Sequence, residues 1–349
     1  MKRLRILLLL SGVGALISGT PCSALVWPGP GSEGATVSRS ATRALELLQT
    51  AATTARVLPW SGTQRIVTVR GGLPRLKLLQ VHHTPGAGST VRVLSTDTHE
   101  VAADVLDSRL LGLLAGHYDL SVAGKQICVG HRAEVVEARR PGVTGPAALA
   151  GRFWLDERSG MVLRRDVLDA NGSVVSSSVL DDLRVGAVAS TTPVSVGSTR
   201  TPAGEHLSDA SLAALEAQGW PVVHTLPSGL ELFEARMHDG DAGEVLQLSY
   251  SDGLSTMSLF VQKGELPDDP SGTARPVGGG TVWVSAGTPE RVVWAGDGRT
   301  WTLVSDAPES AVADALLVLP HSATPVKDGA LSRVWRGMAV VGAWLNPFD

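Results

Sequence analysis

Cysteine is almost absent from this chain: two in 349 residues, Cys22 and Cys128. That excludes a scaffold held together by several disulfides, and it excludes a cysteine-rich metal module. Tyrosine (two) and phenylalanine (four) are nearly as scarce, so nine tryptophans carry most of the aromatic content. Charge is modest at 18%, and it is not concentrated. With residues 1–24 set aside, 27 basic residues face 34 acidic ones, a net charge of −7. A nucleic-acid binder concentrates positive charge on one face, and no such face is visible here. Long apolar runs are missing as well. The longest, Ile6–Ile17, is broken by glycine and too short for a comfortable membrane span.

Chemistry-bearing motifs are equally lacking. His99-Glu100-Val101-Ala102-Ala103 has no second histidine at the fifth position, where a zinc-protease helix needs one. No G-x-S-x-G elbow occurs. Gly278-Gly279-Gly280 is not followed by Lys-Ser/Thr, so it is not a phosphate loop. His82 and His83 are neighbours on an expected strand and point to opposite faces. No spacing singles out a pair of carboxylates. Asn171-Gly172-Ser173 matches a glycan sequon, but a hairpin turn accounts for it. Neither an enzyme, a cofactor site nor a metal site emerges.

What is present is a globular composition, 43% hydrophobic, and length enough for two domains with their own cores. Residues 1–24 read as a Sec-type export signal: Lys2, Arg3 and Arg5, the apolar run, then Cys22-Ser23-Ala24 as a small-residue cleavage site. An uncleaved anchor is the alternative. Cys22 is expected to leave with the signal, so the mature chain would hold one thiol, Cys128, as a small buried apolar residue. Residues 25–39 are a Pro/Gly/Ser linker. Apolar residues at helical spacing then predict a helix over Ser40–Arg56, stopped by Pro59. Alternation predicts strands at Ser61–Val69, Lys77–His83 and Thr90–Ser95. A second helix is expected over Ala102–Leu114, with strands at Tyr118–Val122 and Gln126–Glu137.

The organising stretch runs from Leu149 to Gly186. Strands Gly151–Leu155, Met161–Leu168 and Ser173–Arg184 alternate with two turns, one ending in Gly160 and one built on Asn171-Gly172. Arg152, Arg164, Arg165 and Asp166 are expected to face water. Residues 187–206 are small and polar, the clearest interdomain linker. Beyond it come a helix over Ser208–Gln218, then strands at Glu244–Ser249, Met257–Gln262, Thr281–Ala286, Arg291–Ala295 and Thr300–Ser305, and a helix at Glu309–Leu319. Trp283, Trp294 and Trp301 are placed where they could form one cluster, for packing or, if exposed, for binding. Leu331, Val334, Trp335, Met338, Val341 and Leu345 give the tail, 323–349, an amphipathic helical spacing. It could seal a core, lie on a membrane or dock a partner, and packing is the favoured role.

Two sets of residues resemble the RseB/MucB family of extracytoplasmic regulators. One is Tyr118-Asp119 with the meander: Trp154-x-Asp156, Ser159-Gly160 and Arg164-x-Asp166 leading to Leu168-Asp169 and Gly172. The other is Leu226-Pro227-Ser228-Gly229-Leu230 followed by Tyr250-Ser251-Asp252-Gly253-Leu254. The resemblance implies an α+β architecture: a LolA-like antiparallel half-barrel wrapped round helices (40–186), and a smaller antiparallel-sheet domain with a helix (207–322). It implies a negative regulator of envelope-stress sigma factor signalling, in the periplasm or at the extracytoplasmic surface. Its partner would be the outer domain of a membrane-bound anti-sigma factor, shielded from proteolysis. A lipid or lipoprotein-like amphiphile would be the sensed ligand. The alternative is a lipid or lipoprotein carrier of LolA type. Phe153, Leu155, Leu163 and Val167 are candidates for a lipid cavity, each also readable as plain core. The Asp252-Gly253 turn reads as hairpin chemistry alone.

Overall fold

The computed structural model describes residues 22–24, 33–94, 108–186, 204–240, 243–266, 270–285 and 289–322. The first sheet unit begins with a short strand β1 (Cys22–Ala24) and the helix α1 (Glu33–Val57). Strands β2 (Trp60–Arg70), β3 (Leu73–Thr84) and β4 (Gly88–Val93) follow, then helix α2 (Ser108–His117). Strands β5 (Asp119–Cys128), β6 (His131–Arg139), β7 (Leu149–Asp156), β8 (Val162–Leu168) and β9 (Val174–Val185) complete it. All nine strands form one antiparallel sheet in the order β1-β5-β6-β7-β8-β9-β2-β3-β4. Strand β2 pairs antiparallel with β9, which puts the β2–β3 hairpin beside the last strand of the meander.

Side-chain alternation sets what each face does. Phe153 and Leu155 on β7 join Ala44, Leu48, Ala51 and Ala52 of α1 and Leu111 and Leu114 of α2 in one buried cluster. Trp154, one residue on from Phe153, belongs to a different cluster, with Cys128, Ala133, Val135 and Leu163. The Arg152 and Arg164 guanidiniums sit 5.6 and 4.8 Å from the Trp154 ring centroid.

The second unit has strands β10 (Glu205–His206), β11 (Thr225–Leu226), β12 (Leu230–Gly240), β13 (Gly243–Ser251) and β14 (Thr256–Lys263). It continues with β15 (Thr273–Val277), β16 (Gly280–Ser285), β17 (Glu290–Gly296) and β18 (Arg299–Ser305). Helices α3 (Asp209–Ala217) and α4 (Glu309–Val318) cover it. Register carries one buried stripe across the sheet: Leu248 opposite Leu259, Leu259 opposite Leu303, Leu303 opposite Val292. Leu212 of α3 and Val312, Ala315 and Leu316 of α4 close over it. Ser208 caps α3, its side chain accepting from the Ser211 N–H at 3.2 Å.

Several sequence expectations need correction. Helix α1 starts at Glu33, inside the stretch read as a linker, and β1 lies inside the expected export signal. The break read between residues 122 and 126 is a β-bulge within β5; the turn comes at Val129 and Gly130, both with positive φ. Strands β12 and β15 were not visible as alternation, the latter because Pro276 on an edge strand disguises it. Residues 205–206, assigned to the linker, pair with β12. Trp294 and Trp301 stack, with centroids 5.9 Å apart, but Trp283 falls on the opposite face with Leu266 and Val293. Asp166 does not face water: it is 4% exposed, accepting from Arg164 and, at 2.7 Å, from Ser177. The first part of the helix expected at 102–114 and the tail at 323–349 lie outside the described residues. No described helix is long and apolar enough to cross a membrane.

Candidate functional site

The strongest local feature is where the two units meet. The hairpin between β13 and β14 ends in Ser251-Asp252-Gly253-Leu254-Ser255. Asp252 Oδ1 accepts from the Leu254 and Ser255 N–H groups at 2.8 and 2.7 Å, which fixes the turn. Gly253 takes φ 89°, and a Cβ there would lie 2.3 Å from the Leu114 nitrogen, so only glycine lets the turn rest on α2. Leu254, 2% exposed, is thereby carried into the first unit's core beside Leu111, Leu114 and Phe153. Gly151 on β7 leaves the room it needs: a Cβ there would meet a Leu254 methyl at 2.5 Å.

Polar contacts lock the same seam. The Tyr118 hydroxyl, just past α2, donates to Asp252 Oδ2 at 2.6 Å. Burial raises the Tyr118 pKa, and the Asp252 charge and hydrogen bond raise it further, so the phenol stays a donor. Arg165 on β8 donates to the Leu254 carbonyl. Further out, Arg109 lies 3.4 Å from Glu234, and His117 lies 3.2 Å from Glu231. At the other end of the seam Arg70 donates to the Ala307 carbonyl at 2.7 Å, and the Gly71 N–H donates to Glu309.

Beside the docked hairpin, the first unit has a small surface cleft, about 30 Å³ in volume. Ala55, Trp60, Phe153, Met161, Leu163 and Leu180 give it apolar walls. Gln64, Ser178 and Arg165 supply a polar strip, with Gln64 donating to the Ser178 hydroxyl at 2.9 Å. Of the four residues singled out from sequence, Phe153 and Leu163 line this cleft. Leu155 is core under α1, and Val167 is buried away from the cleft lining. Sequence reasoning missed Arg165, expected in water, and Leu254, passed over as part of a turn. A leucine directly after Asp-Gly at a hairpin tip was the available signal, since such a tip has no reason to be apolar unless something covers it. Among the described residues no three His, Cys, Asp or Glu side chains are grouped to hold a metal ion.

The chain is similar to structures of MucB. The crystal structure of MucB shares 20% identity, with 83% of this chain and 98% of that chain covered and a TM-score of 0.44. In the complex structure of Pseudomonas aeruginosa MucA/MucB the matching chain shares 20% identity, over 80% of this chain and 99% of that one, at a TM-score of 0.42. A LolA superfamily protein from Nitrosomonas europaea matches 42% of this chain and 94% of its own at 11% identity and a TM-score of 0.20. No family model matches the chain, and no curated protein does.

Proposed function

We propose that this chain is an exported binding protein, not an enzyme, that negatively regulates an envelope-stress sigma factor. It engages the extracytoplasmic domain of a membrane-bound anti-sigma factor and shields it from proteolysis. A lipid or lipoprotein-like amphiphile in the cleft is the releasing signal. The residues that resemble the RseB/MucB family support the reading, at 118–119, 151–172, 226–230 and 250–254. The observation that carries it is that Arg165 belongs to both parts of the site, lining the cleft and holding the Leu254 carbonyl. A ligand shifts a conformational equilibrium only by binding one state better than another. An anionic head drawn to Arg165 competes with the hairpin for one guanidinium, so occupancy of the cleft is linked to how the second unit is held.

The test is capture of the outer domain of a membrane-bound anti-sigma factor from the same organism, with and without a lipopeptide. Capture that the lipopeptide reverses supports the regulator. No capture, with lipid co-purifying in the cleft, overturns it in favour of a carrier, the reading that the open apolar cleft favours on its own.

A further inference from the structure

The chain's two cysteines stand directly opposite each other. Strand β1 pairs antiparallel with β5, and the register sets Cys22 against Cys128, Ser23 against Ile127 and Ala24 against Gln126. Residues directly opposite in an antiparallel pair have Cα atoms about 4.5 or 5.5 Å apart, according to the pair type. Both values fall within the span of about 4.4–6.8 Å that a disulfide bridges. Opposed residues also project to the same side of a sheet. In a chain of 349 residues with no other cysteine, this register brings together the one pair that could be joined.

We propose that a disulfide joins Cys22 to Cys128 in the exported protein, so that Cys22 stays in the mature chain. The bond rests on the export reading, because a reducing cytosol disfavours it. Both thiols lose their protons, one S–S bond forms, and two electrons pass to the disulfide of an oxidised dithiol carrier or of glutathione, which leaves as two thiols. Cys128 is fully buried among Ala133, Val135, Trp154 and Leu163. A bond there is shielded from exchange, which makes it structural and not a redox switch. It also explains how a three-residue strand holds an outer edge of the sheet. The covalent link closes a loop of about a hundred residues, where pairing alone would be too short to persist.

Two measurements test this and separate it from the export reading. The first takes the purified full chain in a glutathione redox buffer, denatures it and alkylates it with and without reduction. The expected result is no alkylation before reduction and two additions after it, with one fragment linking the peptides of Cys22 and Cys128. A thiol that reacts without reduction, or a bond between two chains, overturns the proposal. Cys22→Ser is the variant to compare, because it leaves the buried Cys128 in place; its Tm should fall to that of the reduced wild type. An unchanged Tm overturns the structural role. The second measurement recovers the protein from the cell envelope and determines its N-terminal mass. A mature chain that starts after Cys22 overturns the proposal and leaves the export reading standing. Bond formation in the redox buffer, with protein found only in the cytosol, supports the geometry and sinks export.

Discussion

Tyr118 and Asp252 lie 134 positions apart and meet across the seam between the two sheet units, hydroxyl to carboxylate at 2.6 Å. The same carboxylate closes its own hairpin turn with its other oxygen. One side chain therefore fixes the shape of the turn and its attachment. A hydrogen bond to a charged group contributes about 1.5–3 kcal/mol. Tyr118→Phe and Asp252→Asn should each destabilise the chain, and a double-mutant cycle in urea should return a coupling energy in that range, about 2 kcal/mol. Additive losses would show that the contact does not hold the units together.

The apolar half of the joint is Leu254. Truncating a buried leucine to alanine costs about 2–5 kcal/mol, depending on how far the site collapses. Leu254→Ala should fall in that window by denaturant unfolding. Leu254→Asp places a charge in the same core and should undock the second unit, seen as a rise in radius of gyration by small-angle scattering. Gly253→Ala should act in the same direction, because its Cβ would sit 2.4 Å from the Leu114 Cα. An unchanged radius for both variants would mean that other contacts suffice.

Much of this fold was legible in the sequence, and the reasons for the exceptions are physical. The meander over 149–185 was readable because period-two alternation and two glycine turns agree there. Strand β12 was not, since Glu231, Glu234, Arg236, His238 and Asp239 break its apolar pattern. Two of those polar residues, Glu234 and His238, are buried with partners: Arg236 for the first and Gln247 for the second. The polar strip of the cleft was hidden for a related reason. Arg165 sits next to Arg164 in sequence, and nothing local says that one stacks over Trp154 while the other reaches the Leu254 carbonyl from another unit. Tyr118 and Asp252 were each noticed, but their pairing is a long-range fact that no local pattern encodes.

Two carboxylates, Glu137 buried and Glu290 partly buried, should respond to pH with opposite signs. Burial raises the pKa of Glu137, but hydrogen bonds and charge from Arg139 and Arg152 outweigh it and hold the value below the usual carboxylate range. Its contribution to stability is present above the unfolded carboxylate pKa and disappears as pH falls through the lower folded value. Burial raises the pKa of Glu290 and, with repulsion from Glu309, prevails over the pull of Arg70. The native state therefore favours the protonated form, and that contribution is lost as pH rises through the folded value. Unfolding curves of Glu137→Gln against wild type should show a deficit near pH 7 that vanishes in acid. Glu290→Gln should be at least as stable as wild type near pH 7, with any gain shrinking in acid.

Arg165 offers the sharpest separation of regulator from carrier. Its guanidinium lines the cleft and donates to a backbone carbonyl of the other unit, so in the regulator reading a ligand and the docked hairpin would compete for its charge. Arg165→Gln keeps a polar donor, though a shorter one, and removes the charge. In the regulator reading the variant should still capture the anti-sigma outer domain, while an anionic lipopeptide loses its power to reverse capture by about ten-fold or more. Ten-fold corresponds to about 1.4 kcal/mol, within what one charge-assisted hydrogen bond supplies. A neutral detergent, which has no use for the charge, should act on wild type and variant alike. If the lipopeptide reverses capture equally in both proteins, Arg165 is not the link between cleft and hairpin, and the coupling must run through the Leu254 side chain instead.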